Sequence, residues 1–480
     1  MSSEVLPEYR EFERWSTTVV NAYVAPLIDR YLGRLEAQLA GRRLSIMQSN
    51  GGSISSSLAR KEAVRTVLSG PAAGVVGAQA VADAAGFRRV VSFDMGGTST
   101  DVSLVDGRIA TSTDSRIGDF PVRLPVIDIH TVGAGGGSIA SVDSGGALRV
   151  GPRSAGSVPG PACYGSGDEL TVTDANVLLG RLDPAYFLGG RMTIDRARAE
   201  AVAAKLARRL KLSVAELAEG VVRVANANME RAIRVVSVER GHDPRGFALV
   251  AFGGAGGMHA CDIAATLDIG TVVVPRHAGV LSALGMLVAD VTRDYSASVL
   301  RPCSELPLKD LRDRLRRLST RAAEELGREG FSGRRLVIEL QVDVRYVGQS
   351  YEISVPFGSD FRRDFDRRHA KLYGYSNPAR AAEVVAVRVR AAGLTEKPPL
   401  PFVRVTRRIT PRPSFVGPGR FDGKMHRVRF FRWPDLQPGA AAAGPAVITG
   451  PEATAVIPPA WRFRIDGFGN VIAGRTSNSK

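Results

Sequence analysis

Val91-Ser92-Phe93-Asp94-Met95-Gly96-Gly97-Thr98-Ser99-Thr100-Asp101-Val102 runs from an apolar strand through a carboxylate and a Gly-Gly turn, then three hydroxyl residues, a second carboxylate and another strand. Asp106-Gly107 supplies a further tight turn. Glycine at 96 and 97 lets backbone N–H groups approach phosphate oxygens, and the hydroxyls of Thr98, Ser99 and Thr100 add donors. Two carboxylates beside an anion would repel it unless a hard cation such as Mg2+ lay between them, a role that Asp94 and Asp101 fit. The competing reading is an ordinary β-hairpin, with Gly for geometry and Asp for capping.

Two other glycine-rich stretches stand near in character. In Leu249-Val250-Ala251-Phe252-Gly253-Gly254-Ala255-Gly256-Gly257-Met258-His259-Ala260 a strand feeds glycines that open a helix, so free N–H groups and the helix dipole point at whatever occupies the turn. No third glycine has the dinucleotide spacing, and GxxxxGK[ST] occurs nowhere. Close helix–strand packing and nucleotide contact therefore stay open for Gly253, Gly254, Gly256 and Gly257. In Asp128-Ile129-His130-Thr131-Val132-Gly133-Ala134-Gly135-Gly136-Gly137-Ser138, Asp128 and His130 share one face of a strand and could bind a metal or orient a substrate carbonyl. A satisfied hydrogen bond is the plain alternative.

Other chemistry is thin. His242 and His259 read as a loop residue and a polar helix-start residue, and Cys163 in Gly160-Pro161-Ala162-Cys163-Tyr164-Gly165 has no base beside it in sequence. Neither HExxH nor GxSxG is present. The three cysteines are far apart and odd in number, which supports neither a disulfide framework nor a CxxC zinc site.

Outward from the hairpin, strands at 90–93, 102–105, 126–129, 247–252 and 271–274 alternate with helices at 72–85, 195–210 and 213–240, the pattern of an α/β domain. A helix over 17–40 carries Val20, Val24, Leu27, Tyr31 and Leu35 at helical spacing with Pro26 as a kink, and a strand follows at 44–48. Residues 151–167 read as an ordered Gly/Pro/Ser loop. After about 300 one amphipathic helix (309–329) precedes strands at 335–347, 351–356, 384–392 and 401–405. The expected division is residues 1–300 as one domain and 301–480 as a β-rich α+β domain.

Composition sets the surroundings. The chain has 480 residues and 23% charged residues, no apolar run of membrane-spanning length, and a charged first segment without a secretory core, so it reads as soluble and cytoplasmic. Residues 301–480 hold 33 Lys+Arg against 18 Asp+Glu, which leaves 31 against 30 for residues 1–300. The basic surplus lies in the tail without interleaved aromatics or a reading helix, so a solvated or docking face is favoured over specific nucleic-acid binding.

Taken in order, residues 7–14 (PEYREFER), 93–105 (FDMGGTSTDVSLV), 128–140 (DIHTVGAGGGSIA), 160–165 (GPACYG), 173–190 (TDANVLLGRLDPAYFLGG) and 238–260 (VERGHDPRGFALVAFGGAGGMHA), on to Leu287, resemble the hydantoinase A/5-oxoprolinase family. The resemblance spans about 7–295, and the C-terminal part is similar to that family's final domain.

This likeness implies an actin/sugar-kinase-like ATPase fold, in which two lobes each offer a glycine-rich phosphate hairpin to ATP. Asp94, Gly96, Gly97, Thr98, Ser99 and Thr100 match the second phosphate hairpin, with Asp94 or Asp101 holding Mg2+ through water. Gly253, Gly254, Gly256 and Gly257 match the adenosine-side turn, although the family usually has Pro-Leu at the positions of Gly257-Met258. His130, Asp128 and the Gly135, Gly136 and Gly137 turn would face the substrate. The family normally begins with a further domain bearing a first DxGGTxTD hairpin. Only one hairpin is found here, so the fold is expected to be incomplete, with a separate N-terminal ATPase lobe as a partner, a truncated product or a misplaced start.

The implied activity is ATP-dependent hydrolysis of a cyclic amide such as 5-oxoproline or a hydantoin, through phosphorylation of the ring amide, together with a hydantoinase B-type subunit. A non-catalytic fragment or interaction subunit, a ketone carboxylase subunit and a small-metabolite kinase are the alternatives.

Overall fold

Ala248–Phe252 is apolar and buried at every position, as a strand with parallel neighbours on both sides must be. Those neighbours are Arg89–Met95 and Thr271–Val274. The computed structural model describes residues 1–39 and 41–476, and two compact units divide them.

The first unit holds residues 74–110, 128–285 and the chain from 399 onward. Its sheet has eight strands, in the order Ala441–Ala443, Trp461–Ile465, Val471–Arg475, Thr271–Val274, Ala248–Phe252, Arg89–Met95, Thr100–Asp106, Ile129–Val132. The middle is parallel. The hairpin of Arg89–Met95 and Thr100–Asp106 continues it antiparallel on one side, and Val471–Arg475 does so on the other. Helix Val214–Val236 buries Leu217, Val221, Ala225, Met229, Ala232 and Val236, a stripe at three- and four-residue spacing. Its start is fixed by a capping box in which Ser213 and Glu216 satisfy each other's backbone N–H. A four-stranded sheet of Phe415–Phe421, Lys424–Arg432, Ala446–Thr449 and Thr454–Ile457 completes the unit.

The second unit holds residues 1–73, 111–127 and 286–398. Its six-stranded sheet runs Ser45–Met47, Ser53–Ser55, Val291–Pro302, Ala382–Gly393, Leu336–Tyr346, Ile353–Pro356 and is almost wholly antiparallel. Helix Leu308–Arg328 presents Leu311, Leu315, Ala322 and Leu326 to that core and leaves its arginines in water. The expected kink residue Pro26 lies inside helix Glu11–Leu39. Glu8 is buried between Arg123 and Arg388, at 2.7 Å from each. Burial alone would push its carboxyl up, but the two guanidiniums hold it below the usual carboxylate range.

The mixed α/β architecture follows the sequence pattern, and each compact unit is built from separate stretches of the chain. Residue 300 lies inside strand Val291–Pro302, and the chain from 399 onward adds strands to the hairpin's own sheet. Strand pairing across hundreds of residues leaves no mark in local composition, and residues 401–405, expected as a strand, are irregular. Among the described residues no helix is long and apolar enough to cross a membrane.

Candidate active site

Strand register sets the site. Asp94 stands directly opposite Asp101, and Thr131 on the next strand stands beside Asp101. The Thr131 hydroxyl donates to Asp101 Oδ1. Between the acids the chain turns through Gly96, Gly97, Thr98 and Ser99, closed by a hydrogen bond from Gly96 N–H to the Ser99 carbonyl at 3.0 Å. Neither glycine takes a positive φ, and a Cβ on Gly97 would meet nothing within 4 Å. The fold itself therefore does not require glycine at 97; what the missing side chain preserves is open access to the turn's outer surface, where Gly97 and Thr98 are exposed.

The electrostatics fit a cation. Burial, then the charge of Asp101, raises the Asp94 carboxyl to about 6. Burial also raises Asp101, against the lowering effect of the Thr131 hydrogen bond. Neither acid has an ion-pair partner among the described residues. Among those residues no group of three or more His, Cys, Asp or Glu comes together, so a divalent ion here would take two carboxylates and complete its shell with water and phosphate.

Helix Gly253–Thr266 starts against this pair. Gly253 has φ +76, and a Cβ there would lie 2.4 Å from the Met95 carbonyl and 2.5 Å from Asp94 Oδ1. Only glycine permits both the backbone conformation and the approach. No side chain caps the helix, so its first N–H groups and positive dipole end lie next to Asp94.

Several residues expected at the site play other parts. Thr100 is fully buried and its hydroxyl donates to the Ala134 carbonyl at 2.5 Å, so it offers no donor at the turn surface. Gly135, Gly136 and Gly137 form the bed under the hairpin. Their N–H groups are taken by Ser138 Oγ and by the carbonyls of Gly96 and Gly97. A Cβ at Gly135 would strike Gly97 and Thr98 at 2.7 Å. They support the turn and have no free N–H for a substrate.

His130 pairs with Val102, one residue out of step with the Asp101–Thr131 pair. Alternation therefore puts His130 on the opposite face of the sheet from the two acids. Asp128 precedes that strand and is ion-paired with Arg240. On the helix, Gly254 is exposed while Gly256 and Gly257 are buried, and Gly257 is needed because a Cβ would lie 2.6 Å from the Thr454 carbonyl. The packing reading holds for Gly257.

Three residues carry parts that the sequence reading does not give them. Thr131 carries no motif signal of its own beside His130. Asp174, buried in a capping box, accepts hydrogen bonds from the Ala162 and Cys163 N–H groups and so ties the GPACYG loop to helix Val172–Leu178. His259 is buried between Asn226 (2.7 Å) and Asn176 (3.3 Å), which links three helices. Burial, then Arg181, lowers its pKa to about 3, so it is neutral. The TDAN run carried the only signal for Asp174. Cys163 and Cys261 are buried, with thiols pushed up by burial.

Fold and site together define a mixed α/β protein organised around an acid-flanked glycine hairpin that a helix start meets. The Hydantoinase/oxoprolinase family model matches residues 14–295 and the Hydantoinase/oxoprolinase C-terminal domain model matches 307–471, so the chain belongs to the hydantoinase/oxoprolinase family. Caprolactamase subunit alpha of Pseudomonas jessenii is 36% identical over 485 residues, covering 96% of this chain and 70% of that protein. 5-oxoprolinase 1 of Arabidopsis thaliana is 35% identical over 500 residues, covering 98% of this chain but only 39% of that protein. The crystal structure of the ATP-dependent caprolactamase from Pseudomonas jessenii superposes with a TM-score of 0.89 at 35% identity, over 99% of this chain and 72% of that one.

Proposed function

We propose that this chain is the nucleotide-handling part of an ATP-dependent enzyme that hydrolyses a cyclic amide of the 5-oxoproline, hydantoin or lactam type. The observation that carries the reading is the Asp94–Asp101 pair, two facing acids with no ion-pair partner among the described residues, flanking a turn whose outer surface is open. The relatives support it. One is named for an ATP-dependent caprolactamase and another for a 5-oxoprolinase. We read the eight-stranded sheet and its hairpin as one lobe of an actin/sugar-kinase-like ATPase.

Asp94 and Asp101 would hold Mg2+, in part through water, and the Gly97 and Thr98 N–H groups, with the Thr98 and Ser99 hydroxyls, would take phosphate oxygens. The uncapped start of helix Gly253–Thr266, with Gly253 and Gly254, would lie on the nucleotide's other side. A bound magnesium nucleotide supplies the phosphoryl group that makes the ring-amide oxygen a good leaving group. The chain contributes position and charge neutralisation, which carry most of the catalysis in phosphoryl transfer. Thr131 steadies Asp101, and the Gly135–Gly137 bed keeps the turn from collapsing on itself. A hydantoinase B-type subunit and a lobe with a second phosphate hairpin would complete the site. We place the protein in the cytoplasm, where ATP is supplied.

The test is ADP release and ring-opened product, measured on the assembled complex with 5-oxoproline, hydantoin and caprolactam in turn. One of these should stimulate ADP release and yield the ring-opened acid. ADP release coupled instead to bicarbonate and a ketone would replace hydrolysis by carboxylation. A phosphorylated product with the ring intact would make it a kinase.

A further inference from the structure

Helix Glu11–Leu39 is apolar on both faces: inward, Leu32 is buried and Val20, Ile28 and Leu35 pack against small apolar clusters. Its buried positions include Ser16, Thr17 and Asn21, whose side chains hold Glu13, Arg123, Lys61 and Val64 by hydrogen bonds or lie unpaired, as Ser16 does. Its outward face carries Phe12, Trp15, Val19, Tyr23, Leu27 and Tyr31 at three- and four-residue steps, all exposed, with Tyr23 at 85%. A helix in water buries its apolar stripe rather than showing it. The six side chains offer on the order of 800 Å2, above the largest patch usual on a monomer and close to one side of a standard interface.

We infer that this face is a self-association surface, on which a second copy of the chain lays the same helix antiparallel. The charges at its ends select the occupant. Exposed Glu11 marks one end and exposed Arg30 and Arg34 the other, and none of the three has an ion-pair partner among the described residues. Glu11 and Arg34 are nearly equidistant in sequence from Ala22 and Tyr23. A two-fold axis there brings each Glu11 to the level of the partner's Arg34 and each Trp15 to the level of the partner's Arg30. Parallel pairing would bring like charges together instead. Opposite charges at the rim set register, a guanidinium over an indole adds a cation–π contact, and one patch serves both copies. The chain's net charge of +16 opposes association at low salt, so the interaction belongs at about 0.15 M, where charges beyond roughly 8 Å are screened.

Sedimentation equilibrium of the full chain at about 0.15 M salt tests this. The expected result is a dimer with a dissociation constant of about 1 μM or tighter. Tyr23→Glu should weaken it roughly a hundredfold with thermal unfolding unchanged. Glu11→Arg and Arg34→Glu should each weaken it several-fold, and the double variant, which restores opposite charges in both pairs, should recover it. These two surface changes keep the test valid if Tyr23→Glu misfolds. A wild-type monomer at tens of micromolar, or a dimer indifferent to all of these changes, overturns the inference. A monomer whose face is instead covered by another polypeptide, such as the length by which the relatives exceed this chain, would do so too.

Discussion

Asp94 and Asp101 face each other across two adjacent strands, and no described residue forms an ion pair with either. Burial, then the charge of Asp101, raises the proton affinity of Asp94, and burial raises that of Asp101. The pair is a built-in strain that a bound cation would relieve.

Replacing Asp94 by Asn should remove that strain and the metal grip together. ADP release by the assembled enzyme should fall by about a hundredfold or more, while the chain alone gains stability. The sign follows from the raised pKa. The folded carboxyl titrates near 6 and the unfolded one near 3.8, so the proton-linked stability is full below 3.8 and is lost as pH rises through 6. The variant's advantage in thermal unfolding should thus be small at pH 4 and on the order of 1–2 kcal/mol at pH 7.5. An equal advantage at both values would show that Asp94 is not perturbed.

Two glycines should separate by function. Gly97→Ala places a methyl in open space at an ordinary φ, so unfolding should move by less than about 0.5 kcal/mol while nucleotide affinity drops tenfold or more. Gly253→Ala forces φ +76 and a clash at 2.4 Å, which should cost about 2 kcal/mol or more in stability. Denaturant melts and nucleotide titrations of both variants distinguish a ligand-facing glycine from a fold-facing one.

Thr100→Val should lower stability by about 1–2 kcal/mol, because the Ala134 carbonyl loses its buried donor. The KM for ATP in folded enzyme should barely change. A large KM effect with normal stability would return Thr100 to the phosphate site.

His130→Ala should leave turnover within about threefold, since the residue lies across the sheet from the acids. A loss of a hundredfold in kcat would mean that its face takes part in the chemistry.

Much of this was legible in the residues. The strands either side of Gly96-Gly97, the helix opened by Gly253 and the facing acids all follow from short-range pattern, because a two-residue period and a glycine turn fix a hairpin locally. What stayed hidden depends on register and on distant pairing. Thr98 and Thr100 differ by two residues and look alike, yet one is exposed at the turn and the other lies in the core. Asp128 and His130 are two residues apart, yet Asp128 lies before the strand, paired with Arg240, and the face His130 takes depends on its pairing with Val102. Glycines 135 to 137 read like a substrate loop, since a glycine needed for close backbone packing and one needed for ligand access are the same letter.

The central claim is that the bend between Asp94 and Asp101 grips a magnesium-bound triphosphate. A crystal structure of the assembled enzyme with a nonhydrolysable ATP analogue and Mn2+, with anomalous density marking the ion, tests it most directly. The expected result is one ion bridging these carboxylates, directly or through water, to phosphates lying on Gly97 and Thr98. An ordered nucleotide bound elsewhere, with the bend vacant, would contradict it.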